Sequence, residues 1–491
     1  MNIRFQAAPN KWLILIVTTL GSFMTPFDTS AVNVAIPSIG SDLGGELILL
    51  SWVPVAYLLS LTAFLLVFGR LGDMKGRKPL FVVGTLVFTF FSVLSALSNS
   101  LHQLIAARLG QGVGASMMSG NSFALATSAF PSSERGKTVG IVTAATYAGL
   151  SIGPALGGFL TSQFGWRSIF YVNIPLGLVT ASVCHFRTHE RFHVRQEATL
   201  DILGALSLIA LLSSVLISVT FSGAATIPPQ YMLSLASLAV FSFLLFIFVE
   251  KKLAPQPLID VRLFTGNRMF AFSNLTALLH YIASYGIGFL LSLFLQLVLR
   301  LDAHGAGLIM LSQPLLMAIV SPFSGHLSDR MEPRFLSSLG LGIMSATILV
   351  LSGVTADTTT YAIVLILAVL GFGYGLFSSP NSSAVMGSIP RESLGVGSGT
   401  LATMRFLGQS LSLAVVTFML TRSVSADILI VGKEQLNVPL DEFLSGFRVA
   451  LQLCTAIGAA AVAVSMARGR QHTSTYSRVL SSERHVTSWS A

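Results

Sequence analysis

Asp28 stands near the middle of an apolar run covering 12–36. Arg108 and Gln111 stand one helical step apart in another run, 103–127. A guanidinium in the middle of a bilayer costs at least about 2.5–3.5 kcal/mol on insertion scales and needs a partner. Asp28 reads as the only acid inside any apolar run, so the two are expected to meet in a central cavity. The alternative leaves Asp28 alone, facing a water-filled vestibule. A carboxyl group beside a cation can change protonation when something displaces that cation. That chemistry is a switch of protonation, not bond cleavage, and no catalytic residues are expected.

The elements that must hold these residues follow from composition. Hydrophobic residues make up 53% of 491 positions and charged residues 10%, against roughly a quarter charged in soluble domains. Mean hydropathy is +0.76. The apolar residues fall in blocks long enough to cross a bilayer as helices. Strand alternation is absent, which argues against a transmembrane barrel. The expected fold is all-α and membrane-integral, with spans near 12–36, 51–70, 80–98, 103–127, 137–160, 168–187, 200–221, 231–250, 269–298, 304–327, 335–354, 359–379, 395–420 and 443–466. The basic start (Arg4, Lys11) before an apolar run imitates a signal peptide. The run continues past Asp28 without a small-residue cleavage pattern, so a retained first helix is expected. Cys184 and Cys454 both lie in apolar runs and read as small core residues.

Fourteen spans put both ends on one side. Counting loops from an inward N-terminus, twenty-two of the 29 Lys and Arg fall inside, and five (Arg167, Arg300, Arg422, Lys433, Arg448) fall outside; Arg108 and Arg405 lie within spans. This asymmetry predicts cytoplasmic N- and C-termini in a cell membrane. It also accounts for the net charge of +9 without nucleic acid. The tail over 467–491, rich in Ser, Thr and Arg, reads as disordered and cytoplasmic.

The chain repeats itself. Gly69, Leu71 and Asp73 after the second span match Gly325, Leu327 and Asp329 after the tenth, with Lys78 matching Arg334. Gly136, Gly140 and Gly149 match Gly395, Gly399 and Gly408. Two duplicated six-helix halves, 1–190 and 263–466, are expected, with an inserted helix pair and linkers over 191–262. Two repeated halves around a central path describe a secondary transporter.

Two glycine-rich stretches carry further meaning. The loop Gly69-Arg-Leu-Gly72-Asp73-Met-Lys-Gly76-Arg77-Lys78 asks for a tight turn and close helix approach around one acid. Asp73 is expected to pair with Arg77 or to meet a helix N-terminus. Gly69, Asp73, Gly76, Arg77 and Lys78, with Asp329 and Arg330 from the second copy, are read as a cytoplasmic gate. In the fifth span Gly149, Gly153 and Gly157 form a stripe at four-residue steps, beside Pro154 and Gly158. The stripe permits close approach of another helix, and the Gly-Pro pair implies a bend.

These residues resemble the major facilitator superfamily, specifically its fourteen-helix drug:proton antiporter family. The resemblance rests on Phe27-Asp28-Thr29 through Pro37, on Gly69–Leu80, on Arg108-Leu-Gly-Gln111-Gly112, and on Gly149 through Gly158, which resembles the motif that marks exporters. Trp166 through Gly177, Pro257-Leu-Ile-Asp260 and the stretch from Pro380 to Gln409 also look similar, and Ser168 departs from the family's usual large side chain. The resemblance implies proton-driven export of lipophilic compounds, with Asp28 as the coupling acid and Arg108 tuning it. No cofactor is implied, because the proton gradient supplies the drive. The implied partners are protons, small lipophilic substrates and the lipid bilayer.

Two patterns lead elsewhere. Gly136-Lys137-Thr138 mimics the end of a phosphate loop, but the earlier glycine it needs is Pro131, so no nucleotide is expected. His189-Glu190-Arg191-Phe192-His193 matches a zinc-protease pattern. A zinc enzyme needs that pair on a helix lining a cleft, with a third ligand. Here it falls in a short loop among arginines, so no metal is expected.

The candidate cavity residues are Asn33, Gln111, His280, Gln296, Gln313, Asn381, Arg405 and Gln409. His280 reads as a hydrogen-bonded core residue before a proton site. With two arginines and one acid in the spans, the cavity is not expected to favour dicationic drugs, and neutral or anionic lipophiles fit better. Arg405 would then be neutralised by carbonyls or serve as a latch. The leading reading is a proton-coupled multidrug exporter. Its rivals are a dedicated exporter of one metabolite, a membrane zinc protease, and a non-transporting sensor.

Overall fold

The computed structural model describes residues 11–45, 47–131, 134–188, 201–221, 228–253, 258, 261–328, 330–389, 394–423 and 440–469. The first six helices are α1 (Lys11–Leu43), α2 (Leu47–Lys75), α3 (Arg77–Ala96), α4 (Leu101–Ser128), α5 (Arg135–Phe164) and α6 (Arg167–Arg187). Then come α7 (Ile202–Phe221), α8 (Pro229–Phe248) and the short α9 (Val261–Gly266). The second half comprises α10 (Arg268–Ser284), α11 (Gly286–Leu293), α12 (Ala303–Met310), α13 (Ser312–Ser328), α14 (Pro333–Leu351), α15 (Thr360–Gly387), α16 (Leu394–Ser423) and α17 (Leu440–Ala467).

Among the described residues, thirteen helical stretches are long and apolar enough to cross a membrane. Three of them, Gln230–Leu253, Arg268–Val298 and Ala303–Ser328, join consecutive shorter helical segments. The fourteenth long helix is α4, 28 residues that include Arg108, Gln111 and Asn121. Its polar content places it below the apolar criterion, and its neighbours α1, α2 and α3 shelter it. Prolines inside α1, α2, α5, α6, α13 and α15 are accommodated within helices, as neighbouring spans permit in a bundle. Pro154 leaves α5 unbroken from Arg135 to Phe164.

Packing repeats between the halves. Where α3 crosses α4, a Cβ on Gly84 would press on Met117 and the Gly114 carbonyl. Where α14 crosses α15, Gly340 and Gly373 meet through their backbones in the same way. Gly69 abuts Gly120 of α4, and Gly325 abuts Ser379 of α15. Gly76 has φ 106°, a conformation that glycine adopts readily, and it turns the chain from α2 into α3.

The pair α7–α8 is central in sequence but peripheral in space. α7 rests against α2 and α16, and α8 packs chiefly on α7 with long apolar side chains such as Leu233, Phe241 and Leu244 exposed. Contacts between the halves concentrate on α5 with α12 and α13, α2 with α16, and α1 with α11 and α12. A Cβ on Gly158 would strike the Ala303 carbonyl, and one on Gly307 the Pro154 carbonyl. The two halves thus approach backbone to backbone at the end of the bundle remote from Lys11.

Candidate functional site

The Asp28 carboxylate accepts from Arg108 Nη1 at 2.5 Å, from Gln111 Nε2 at 3.1 Å and from Asn173 Nδ2 at 2.8 Å. Arg108 Nη1 also donates to Gln111 Oε1 at 2.6 Å, and Arg108 Nε to the Val53 carbonyl at 3.2 Å. The guanidinium lies over the Tyr57 ring at 4.3 Å, and Gln111 Nε2 donates to Ser92 Oγ at 2.9 Å. Asp28, Arg108, Gln111 and Asn173 are each 0% exposed. A buried pair is worthwhile only when its remaining polar atoms are also satisfied, and this network meets that condition for the carboxylate.

Asp28 and Arg108 meet as expected. Every hydrogen-bond partner of the Asp28 side chain comes from α4 or α6, and Tyr285 of the second half lies within electrostatic reach of both charges. Asn173 and Ser92 were not anticipated as partners. The only sequence signal for Asn173 was its place in the Trp166–Gly177 segment. Asp28 is also not the only acid in a span. Glu250 lies in the span Gln230–Leu253 and is 5% exposed; its Oε1 accepts from the Leu258 amide at 3.2 Å.

The glycine stripe positions this network. A Cβ on Gly149 would meet the Phe23 carbonyl, one on Gly153 the Ser30 side chain, and one on Gly157 Ala31. The α5 backbone therefore lies directly on the segment of α1 that carries Asp28. Gly158, one residue further, faces α12 instead.

At the end bearing Lys11, Arg77 donates to Asp73 Oδ1 from Nε at 3.0 Å and from Nη2 at 2.8 Å, and its Nη1 reaches the Ala124 carbonyl at 3.2 Å. Lys78 Nζ donates to the carbonyls of His185 and Thr188 at the end of α6, at 3.0 and 2.6 Å. Gly72 lies against the Asn121 side chain. In the second copy Arg330 is exposed, while Asp329 lies outside the described residues. So do the pattern 189–193 and residues 470–491.

The structure separates the cavity candidates. Gln296 Nε2 donates to the Val34 carbonyl at 2.8 Å and so bridges the halves. Asn381 Nδ2 donates to the Ser273 carbonyl at 3.2 Å, and its Oδ1 accepts from Arg468 Nη1 at 3.0 Å. Asn381 therefore belongs to the interior of the second half. Arg468, read from sequence as a tail charge, is 1% exposed. Burial pushes its guanidinium down to about 10, with nearby Arg334 adding to the effect and Glu332 opposing it.

His280 is 0% exposed and neither ring nitrogen has a hydrogen-bond partner among the described residues, contrary to the expected bonded core histidine. Its ring packs 4.1 Å from Phe377 and 4.4 Å from Tyr374. Asn33 faces Tyr285, Gln313 is half-buried, and Gln409 is 9% exposed. Arg405 is half-buried, and its Nε has no hydrogen-bond partner among the described residues. None of the ion pairs among the described residues includes it. Asp28, fully engaged elsewhere, does not neutralise it. Tyr147 OH and Ser378 Oγ lie 2.5 Å apart, joining α5 to α15.

The family model described as Major Facilitator Superfamily matches residues 18–413. The riboflavin transporter RibZ of Clostridioides difficile is 32% identical over 415 residues, 84% of this chain and 89% of that protein. The multidrug resistance protein Stp of Mycobacterium tuberculosis is 32% identical over 421 residues, covering 85% and 77%. Two solved structures share the fold. The D-xylose-proton symporter aligns with a TM-score of 0.65 at 13% identity, covering 94% of this chain and 98% of that one. A bacterial homologue of the human lysosomal transporter Spinster aligns with a TM-score of 0.66 at 15% identity, with the same coverage.

Proposed function

The chain belongs to the Major Facilitator Superfamily and is a multi-pass membrane transporter, not an enzyme, and from that premise we propose that it is a proton-coupled exporter of lipophilic compounds. It works by alternating access between its two six-helix halves, in the cell membrane, with both termini cytoplasmic. The basic end of the bundle, with Lys11, Arg77 and Lys78, is then the cytoplasmic end.

The observation that carries the reading is the Asp28–Arg108 pair, 0% exposed with three donors on the carboxylate. Protonating Asp28 removes the charge that holds Arg108. Breaking such a pair in place costs about 3–5 kcal/mol. Proton uptake is therefore tied to rearrangement of α1 against α4 and α6, and α1 also carries the contact of Val34 with the second half. The proton enters from one side, the pair opens, and the halves re-set toward the other. Export, as opposed to import, rests on the resemblance of Gly149–Gly158 to the exporter motif. Stp, named for multidrug resistance, supports the drug reading.

The test is transport into energised inside-out vesicles with and without a proton gradient. Asp28→Asn should abolish gradient-driven accumulation while the protein stays folded in the membrane. Unchanged coupled transport in that variant would overturn the proposal. The second reading, a carrier dedicated to one metabolite, is favoured by the similarity to RibZ, named a riboflavin transporter. Saturable transport of riboflavin that chemically unrelated drugs fail to inhibit would select it.

A further inference from the structure

We propose that Arg405, with Tyr147, Tyr281 and Tyr374, forms a binding site for planar aromatic substrates that carry a single negative charge. The proposal rests on the transporter reading above and assigns its substrate class. Arg405 lies at mid-helix on α16, where a guanidinium in a bilayer requires compensation. Asp28 already accepts from three donors of the first half. The charge of Arg405 thus remains in the second half without a carboxylate among the described residues.

Its surroundings are aromatic. Arg405 is within electrostatic reach of the Tyr281 and Tyr374 hydroxyls, and Tyr147 acts on the same two. The Tyr281 and Tyr374 rings lie 6.2 Å apart at 65°. Gly408, one turn beyond Arg405, lets α16 close onto α10, since a Cβ there would meet Tyr281 at 2.7 Å and the Leu278 carbonyl at 2.8 Å. His280 backs the cluster, packed on Tyr374 and Phe377.

Tyr147 and Tyr281 are both half-buried, whereas Tyr374 is 7% exposed. An aromatic ring packs edge-on or offset against these tyrosines. A carboxylate, sulfonate or phenolate on that ring supplies the acceptor that the guanidinium lacks. Tyr147 comes from the first half and the other three residues from the second. Occupancy therefore spans the two bodies that must move. A dication finds no free acid here and meets a like charge.

Purified full-length protein in nanodiscs should be titrated with resorufin, a planar anion, and ethidium, a planar cation, by fluorescence anisotropy. Wild type should bind resorufin the more tightly. Arg405→Gln should weaken resorufin at least about tenfold and leave ethidium unchanged or stronger, with Arg405→Lys in between. Tyr281→Ala should weaken both probes and Tyr281→Phe neither, a check that does not depend on Arg405→Gln folding. Equal resorufin affinity in wild type and Arg405→Gln, or a wild-type preference for ethidium, overturns the site. Arg405-dependent resorufin binding without proton-driven efflux of either probe would overturn the exporter reading and uphold the site. Asp28-dependent ethidium efflux without Arg405-dependent resorufin binding would do the reverse.

Discussion

The side-chain amide of Gln296 donates to the Val34 carbonyl at 2.8 Å, joining the second half of the molecule to the helix that carries Asp28. Gln296 also bonds Ser292 Oγ at 3.0 Å, which holds its side chain in place for the bridge. In an alternating-access cycle this bond must break when the end remote from Lys11 opens. A hydrogen bond of this kind contributes about 1 kcal/mol, so Gln296→Leu should raise the population open at that end about fivefold. Spin labels at the ends of α1 and α11 remote from Lys11 would report the shift. An unaltered distance distribution would show that the bond does not bias the cycle.

Adjacent glycines should give different failures. Gly157 lies on Ala31 inside the first half, whereas Gly158 lies on the Ala303 carbonyl of the second. Gly157→Val overpacks the α1–α5 seam and should lower stability by about 1–3 kcal/mol, seen as a reduced thermal midpoint. Gly158→Val should unfold near the wild-type temperature but hold the halves apart at the remote end, so that turnover stops. Matching phenotypes for the two variants would mean that the seams are not independent.

Among the described residues Arg468 makes one hydrogen bond, to neutral Asn381, and its Nε and Nη2 have no hydrogen-bond partner. Its guanidinium, pushed down to about 10 by burial, shows that the fold disfavours the charged form. Below pH 10 this cost is present in full, because the group is charged in both folded and unfolded chains. It fades only as pH rises from about 10 toward the ordinary arginine value. At neutral pH, Arg468→Gln should therefore leave the thermal midpoint unchanged or raise it. Asn381→Leu, which strips the hydrogen-bond acceptor from a buried cation, should lower it. A lower midpoint for Arg468→Gln would assign the arginine a stabilising role.

Charge movement offers a further check on the two proposals together. Exchange of one inward proton for one outward anion carries two positive charges inward per turnover. An inside-negative potential at zero pH gradient, about 2.3 kcal/mol per charge at 100 mV, should then drive resorufin efflux by itself. One-for-one exchange of a proton for ethidium is electroneutral and should not respond. Resorufin efflux insensitive to a valinomycin-imposed potassium potential would contradict the charge assignment.

Much was legible in the sequence because the bilayer makes charge scarce. A mean hydropathy of +0.76 fixes the helical, membrane-spanning class. So few charges lie in the apolar runs that Asp28 and Arg108 read as partners 80 residues apart, and the structure joins them. The glycine stripe of α5 was legible for a similar reason, since residues without side chains permit contact that larger ones forbid.

What the sequence could not decide is how each helix is rotated. A soluble helix shows its core face by polarity, but in a membrane the lipid face and the packed face are both apolar. Only packing between helices sets the rotation. Tertiary structure therefore chose the donors around Asp28, drawing them from α4 and α6. It turned Gln296 toward Val34 and gathered Tyr281 and Tyr374 near Arg405. It also buried Arg468, which in sequence reads like any other arginine of a polar tail, because its position depends on how α17 packs on α10 and α14 and so brings Arg468 to Asn381.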